Sequence, residues 1–445
     1  MFDLLIRGAS VVNSERSGYF DIAIALGKVV ALLTPGTPTS ARSTIDATGL
    51  VAIPGLVDAH VHLREPGLVH KEGFASGTRA AAAGGVTTVM VMPTDKPATF
   101  TPDEFEAKRE LAQGQVFVDF ALQAAVRRDP AHIRRLVELG CVSFEIFLAD
   151  VADEMLLSDA ESLIVALSRI AEAGAIAGVT PGDHDVVVRR TAIARAAGPA
   201  AANFPPSRPP LSEALGVARA CVAAAETGAR VHIRQLSCAA GLNVFESLKS
   251  LGRLTAEVMP HNLTLDEGEL ARQGVFAKVA PPLRPRTDVE AVVGGLQRGA
   301  IDIVATDHAP HLPEEKQAGA SDIWKAPGGF PGLQTFLPVM LSLVQDDVLT
   351  LPDLVRTCAT RPADLFGLPF KGRIAPGADA DIVLLDLDKD FEIRNRDQLS
   401  KAVNTPFDGK RTKGAPVWVF LRGREVMRNG AVAGAPTGHF LKPAG

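Results

Sequence analysis

Between Val57 and Thr306, short β-rich runs alternate with Ala/Leu/Arg-rich helical stretches, and the alternation repeats eight times. The runs are GLVDAHVH, VTTVMVMPT, VFVDFALQAAV, CVSFEIFLA, GAIAGVT, RVHIRQLS, LTAEVMP and IDIVATDH. Intervening segments such as FASGTRAAAAGG, HIRRLVELG and VEAVVGGLQRG end in glycine, as helices commonly do. Eight strand-helix units over 250 residues predict a (β/α)₈ TIM barrel rather than a doubly wound sheet. GAIAGVT is the weakest of the eight, because Ala and Gly are poor strand formers.

The chain ends read differently. DLLIRGASVVN and YFDIAIALGKVVAL at the start, and ADIVLLDL and APVWVFLRGREVM near the end, are strand-like, with Gly8 and Gly27 interrupting the first pair. Neither end has enough strands for a stable sheet alone. The two are therefore expected to pair into one small composite β-sandwich, built from residues 1–52 and 370–445 around a barrel of residues 53–369.

The balance of 47% hydrophobic and 22% charged residues is that of a globular chain with ample core, and the formal net charge of -5 gives no reason to expect nucleic acid. The N-terminal twenty residues are too charged to read as a signal peptide. The longest uncharged apolar stretch, Leu333 to Gln345, contains Pro338 and is too short for a bilayer. Cys141, Cys221, Cys238 and Cys358 are scattered without a CxxC pair, so no disulfide framework is expected. A soluble, cytoplasmic protein without membrane partners follows.

In such a barrel the chemistry lies at the C-terminal strand ends. The polar residues there are His60 and His62, Thr94 and Asp95, Gln123, Glu145, Thr180, Gln235, His261 and Asn262, and Asp307 and His308. Residues two apart on a strand share a side, so His60 and His62 converge. Asp307 ends the eighth strand, which adjoins the first once the barrel closes. Two imidazoles and a carboxylate suit zinc, or another borderline divalent ion such as manganese, with a position left for water. No GxSxG elbow and no cysteine beside a strand-end histidine supports a serine or cysteine nucleophile. The glycine-rich APGGFPGLQT lacks the Lys-Ser/Thr of a phosphate loop.

The blocks PGLVDAHVHLREPG, KEGFASGTRAAAAGGVTTVMVMP, TAEVMPHNL, PPLR, ATDHAPH, APGGFPGLQT and GRIAPGADADIVLLD resemble the cyclic amidohydrolase branch of the amidohydrolase superfamily. That branch includes dihydroorotases, allantoinases and hydantoinases, and the dihydroorotases are the closest in pattern. The resemblance spans nearly the whole chain. It implies hydrolysis of a cyclic amide, imide or ureide, a small-molecule partner and a homodimer or homotetramer.

The resemblance also implies a two-metal site with a carboxylated lysine on the fourth strand and histidines ending the fifth and sixth. Here Glu145, Val179 or Thr180, and Gln235 stand at those positions. What remains is the set for one metal ion: His60, His62 and Asp307, with Glu145 as a fourth ligand or, alternatively, a salt-bridged strand-end residue. His232 lies three residues before Gln235, so alternation points the two to opposite sides; His184 follows the fifth strand and is a further ligand candidate. Asp307 is implied as the general base and acid.

Substrate recognition is implied for Arg64, which would grip a carboxylate, and for His311. Thr94 and Ala280 stand where dihydroorotases carry asparagine, and Gln334 where the branch has a glutamate. Each lost amide leaves a ring group unpaired at about 1–3 kcal/mol. The expectation is thus a relative of dihydroorotate making different ring contacts, with Asp95 receiving a ring N–H. The competing reading is a non-catalytic chain that scaffolds a pyrimidine-pathway enzyme such as aspartate transcarbamoylase.

Overall fold

The computed structural model describes residues 1–444. The barrel strands are Leu56–Val61, Val86–Val91, Asp119–Leu122 continued by Ala124–Ala125, Phe144–Phe147, Ile176–Thr180, Arg230–Ile233, Arg253–Val258 and Ile303–Val304. Each pairs in parallel with the next, for example Val89 with Phe120 and Val231 with Leu254. The ring closes where Val61 bridges His308 and the His62 N–H donates to the His308 carbonyl at 2.8 Å. That closure brings the first and eighth strand ends side by side.

Local chemistry sets the element boundaries. The helix Pro102–Ala112 starts with a capping box between Thr101 and Glu104 and carries Pro at its first position. The helix Pro210–Thr227 ends at Gly228 in the left-handed conformation. The weak run GAIAGVT does form a strand, Ile176–Thr180, and Gly178 explains its composition. A Cβ on Gly178 would lie 2.5 Å from Glu145 Oε2 and 2.7 Å from Arg234 Nε, so the missing side chain makes room inside the barrel.

The chain ends meet as expected. One nine-stranded hydrogen-bonded sheet joins strands of the N-terminal end to Ile382–Glu392, Arg411–Leu421 and two short strands that follow. The junction is Val51–Pro54, parallel to the N-terminal strand Phe2–Val12 at Ser10 and antiparallel to Ile382–Leu385. Its apolar cluster, including Ile6, Ile22, Ile24, Ile382, Leu384 and Phe420, is separate from that of the barrel.

Lys371 pins the two parts together. Its buried Nζ lies 2.5 Å from Asp119 at the start of the third barrel strand, 2.7 Å from Asp381 and 2.9 Å from Asp379. Arg422 from the composite sheet also pairs with Asp119. The four cysteines are buried and unpaired. Among the described residues no helix is long and apolar enough to cross a membrane.

Candidate active site

His60, His62 and Asp307 come together at the barrel mouth, each offering a ligand atom within 4.8 Å of the others. Asp307 Oδ1 lies 3.4 Å from His60 Nε2 and 3.1 Å from His62 Nε2. The opposite ring nitrogens are already engaged. His60 Nδ1 is 2.6 Å from Glu257 Oε1, and His62 Nδ1 is 2.7 Å from Thr94 Oγ1. Donation from Nδ1 in both cases leaves the two Nε2 lone pairs facing Asp307, the arrangement a metal-binding imidazole needs.

The backbone is set to match. Asp58 Oδ1 accepts from the N–H groups of His60 and Thr306, tying the first and eighth strands below the site. Asp307 and Gln235 adopt left-handed φ values of 48° and 52°. The turn at Gln235 breaks strand alternation and swings its side chain into the mouth, where Nε2 donates to Asp307 Oδ2 at 2.5 Å. His232 points into the barrel as well, one layer down, bonded to Thr255 and Glu257. The expected opposition of the two side chains fails because of this kink.

Electrostatics favour an ionised Asp307. Burial raises its pKa, but the neighbouring imidazoles, His60 first, outweigh burial and hold it below the usual carboxylate value; against its own burial, His60 is in turn raised by Asp307 and Glu257. Burial drives His62 and His261 down to about 4 each, so both imidazoles are neutral at physiological pH.

Glu145 does not join the ligand group. Its Oε2 accepts from Arg234 Nε at 3.1 Å and its Oε1 from Thr180 Oγ1 at 2.6 Å. The fourth-ligand expectation therefore gives way to its alternative, a buried salt bridge, because the guanidinium on the sixth strand claims the carboxylate. His184 begins the helix His184–Ala196 and is also outside the group.

A cavity of about 280 Å³ opens over His60, His62 and Asp307. Arg64 and His311 line it, as expected; Thr94 and Asp95 do not. The Thr94 hydroxyl is engaged by His62 Nδ1 and turned away from the cavity. Asp95 turns toward Lys108, a buried ammonium that also donates to the Met92 carbonyl at 2.8 Å. The long Lys108 side chain reaching back from its helix is what withdraws Asp95 from the mouth.

Arg64 is partly buried, yet among the described residues it forms no ion pair, and its buried Nε lacks a hydrogen-bond partner. Its Nη2 lies 3.3 Å from His311 Nε2, while Lys71 Nζ lies 3.2 Å from His311 Nδ1. Burial and these two cations push the His311 pKa down to about 2, leaving a neutral ring. A partly buried guanidinium with no carboxylate in direct contact is well placed to meet an anion there.

One feature went unread in the sequence, and one residue it named has a different task. Glu257 and Arg234 form a fully buried ion pair beneath His60. Their signal was available, since both occupy inward positions of barrel strands where aliphatic side chains are usual. His308 is not a ligand; its Nδ1 accepts from the N–H of Gly332 at 3.1 Å, anchoring the glycine-rich loop to the eighth strand.

A parallel barrel with a histidine pair and an aspartate at the mouth defines a metal-dependent hydrolase class. The amidohydrolase family profile matches residues 51–426. A dihydroorotase of Methanothermobacter thermautotrophicus is 36% identical over 432 residues, covering 97% of this chain and 96% of the relative. An allantoinase of Rubrobacter xylanophilus is 34% identical, covering 99% of this chain and 98% of its own. In structure, the L-hydantoinase (dihydropyrimidinase) from Arthrobacter aurescens superposes with a TM-score of 0.96 at 32% identity, covering 99% of this chain and 100% of its own. The chain belongs to the amidohydrolase family and groups there with the cyclic amidohydrolases.

Proposed function

We propose that this chain opens a cyclic amide, imide or ureide ring that carries an anionic group, at a site for one divalent ion held by His60, His62 and Asp307. The observation that carries the reading is the donor set itself: two Nε2 atoms and one carboxylate oxygen facing one another, with the other ring nitrogens fixed by Glu257 and Thr94. This set fits zinc first and manganese second. When bound, such an ion acts as a Lewis acid and lowers the pKa of water to about 7.

The chain's own residues supply the rest. Asp307, ionised and anchored through Oδ2 by Gln235, accepts the proton of the attacking water and returns it to the leaving ring nitrogen. Proton transfer of this kind contributes about 10²–10⁴-fold. Arg64 pairs with the substrate anion through its planar fork, with His311 beside it as a neutral partner. Ala280 presents only a methyl group to the cavity, which supports ring contacts unlike those expected for dihydroorotate. A cytoplasmic homodimer or homotetramer remains part of the reading.

The test is metal content of protein purified without added metal, for wild type and His60→Ala, followed by hydrolysis assays on hydantoins, dihydropyrimidines and cyclic imides with and without a carboxylate. The expected result is about one ion per chain, lost in the variant, and turnover of the carboxylate-bearing rings. No ion after incubation with zinc or manganese would overturn the hydrolase reading and favour the scaffold; two ions would overturn the one-metal site.

A further inference from the structure

The most heavily charged part of the barrel interior lies below the ligand group. Arg234 is fully buried, and its guanidinium spans the barrel. Nε donates to Glu145 on the fourth strand at 3.1 Å, Nη1 to Glu257 on the seventh at 3.0 Å, and Nη2 to the Gln123 side-chain oxygen after the third. Nη1 also donates to the Ala59 carbonyl on the first strand at 3.2 Å. Gly178 on the fifth strand leaves space for this group, since any Cβ there would meet both Glu145 and Arg234.

Two of these bonds converge on His60. Ala59 is its chain neighbour, so Arg234 fixes the backbone that carries the ring. Glu257 accepts from His60 Nδ1 through Oε1 while Oε2 receives Arg234 and His232. With both oxygens engaged, Glu257 has one orientation, and that orientation sets the plane of the His60 imidazole. An aliphatic barrel layer would fill the same volume at no desolvation cost, so a buried charged network is not needed for packing.

We infer that Arg234 and Glu257 are positioning residues for the metal centre: the guanidinium holds Glu257, and Glu257 holds His60 with Nε2 aimed at the ion. The inference rests on the reading of His60 as a metal ligand. It goes beyond that reading by placing the determinant of ligand geometry on a cation inside the barrel. Losing the outer partner of a metal-bound histidine typically weakens metal affinity by about 10–100-fold.

The experiment measures divalent-metal affinity by chelator competition and the visible absorption spectrum of the cobalt-loaded protein. The proteins compared are wild type, Arg234→Met, Arg234→Lys, Glu257→Gln and, as a distant destabilising control, Phe420→Leu in the composite sheet. The expected result is a 10–100-fold affinity loss with an altered cobalt spectrum in Arg234→Met and Glu257→Gln. Arg234→Lys should recover part of the loss, and Phe420→Leu should lower stability alone. Glu257→Gln keeps the Arg234–Glu145 pair and decides the matter if Arg234→Met does not fold. Wild-type affinity and spectrum in Glu257→Gln would overturn the inference while leaving the one-metal reading intact. A wild-type chain that binds no ion would overturn both.

Discussion

Gln235 donates to one oxygen of Asp307 at 2.5 Å while the other oxygen faces His60 and His62. The two Asp307 oxygens therefore have different settings, one toward the candidate ligands His60 and His62 and one held in place. Gln235→Leu removes the anchor without changing the oxygen that faces His60 and His62. A hydrogen bond to a charged group contributes about 1.5–3 kcal/mol, so kcat/KM should fall about 10–100-fold while metal content stays at the wild-type level. Steady-state kinetics with parallel metal analysis checks this, and loss of the ion would assign Gln235 to metal retention instead.

Among the described residues Arg64 forms no ion pair although it is partly buried, and it lines the cavity. Arg64→Lys keeps the charge and loses the planar fork. The expectation is a raised KM for carboxylate-bearing rings, with neutral analogues changed little. Equal effects on both substrate types would remove Arg64 from anion recognition.

Gly178 sits against Glu145 and Arg234 with no space for a methyl group. Gly178→Ala should destabilise the chain by about 1–3 kcal/mol through overpacking, read as a shift in urea midpoint at constant slope.

Lys371 is the ammonium shared by Asp119, Asp379 and Asp381, with Lys28 pairing Asp379 from outside. Those carboxylates raise its pKa strongly despite burial, so it is charged at neutral pH. Lys371→Met leaves buried Asp381 without its cation, Asp119 keeping Arg422 and Asp379 keeping Lys28, and should cost about 3–5 kcal/mol, measured by denaturant unfolding. Lys371→Arg, which retains the charge, should cost less.

Burial depresses His261 to about 4 from 6.5. In acid the unfolded chain takes up this proton before the folded chain does. The neutral ring's contribution is therefore complete above about pH 6.5 and is lost as pH falls toward about 4. In chelator-treated protein, His261→Gln should lose stability less steeply than wild type across that window, by up to about 1.4 kcal/mol per pH unit. Identical slopes would show that His261 titrates alike in both states.

Much of this molecule was legible before folding was considered. Strand alternation placed His60 and His62 on one side, and the eight-unit rhythm placed Asp307 beside them, because both follow from local periodicity and barrel closure. Arg64 and His311 also stand where the motif resemblance put them, lining one cavity. The functions of Glu145, Thr94 and Asp95 were not legible in the same way. Each has a second partner far along the chain: Arg234 for Glu145, His62 for Thr94, Lys108 for Asp95. A polar side chain at a strand end can turn to substrate, metal or neighbour, and only the competing partners decide which.

The sequence by itself determined the barrel, the pairing of the chain ends and the three candidate ligands, since hydrophobic period and residue spacing act over short stretches of chain. Tertiary structure alone decided that Gln235 kinks inward to hold Asp307, that Gly178 clears space for a guanidinium, and that Glu145 neutralises Arg234. These depend on atoms from different strands meeting in a buried, low-dielectric interior, where an unpaired charge costs far more than a changed rotamer.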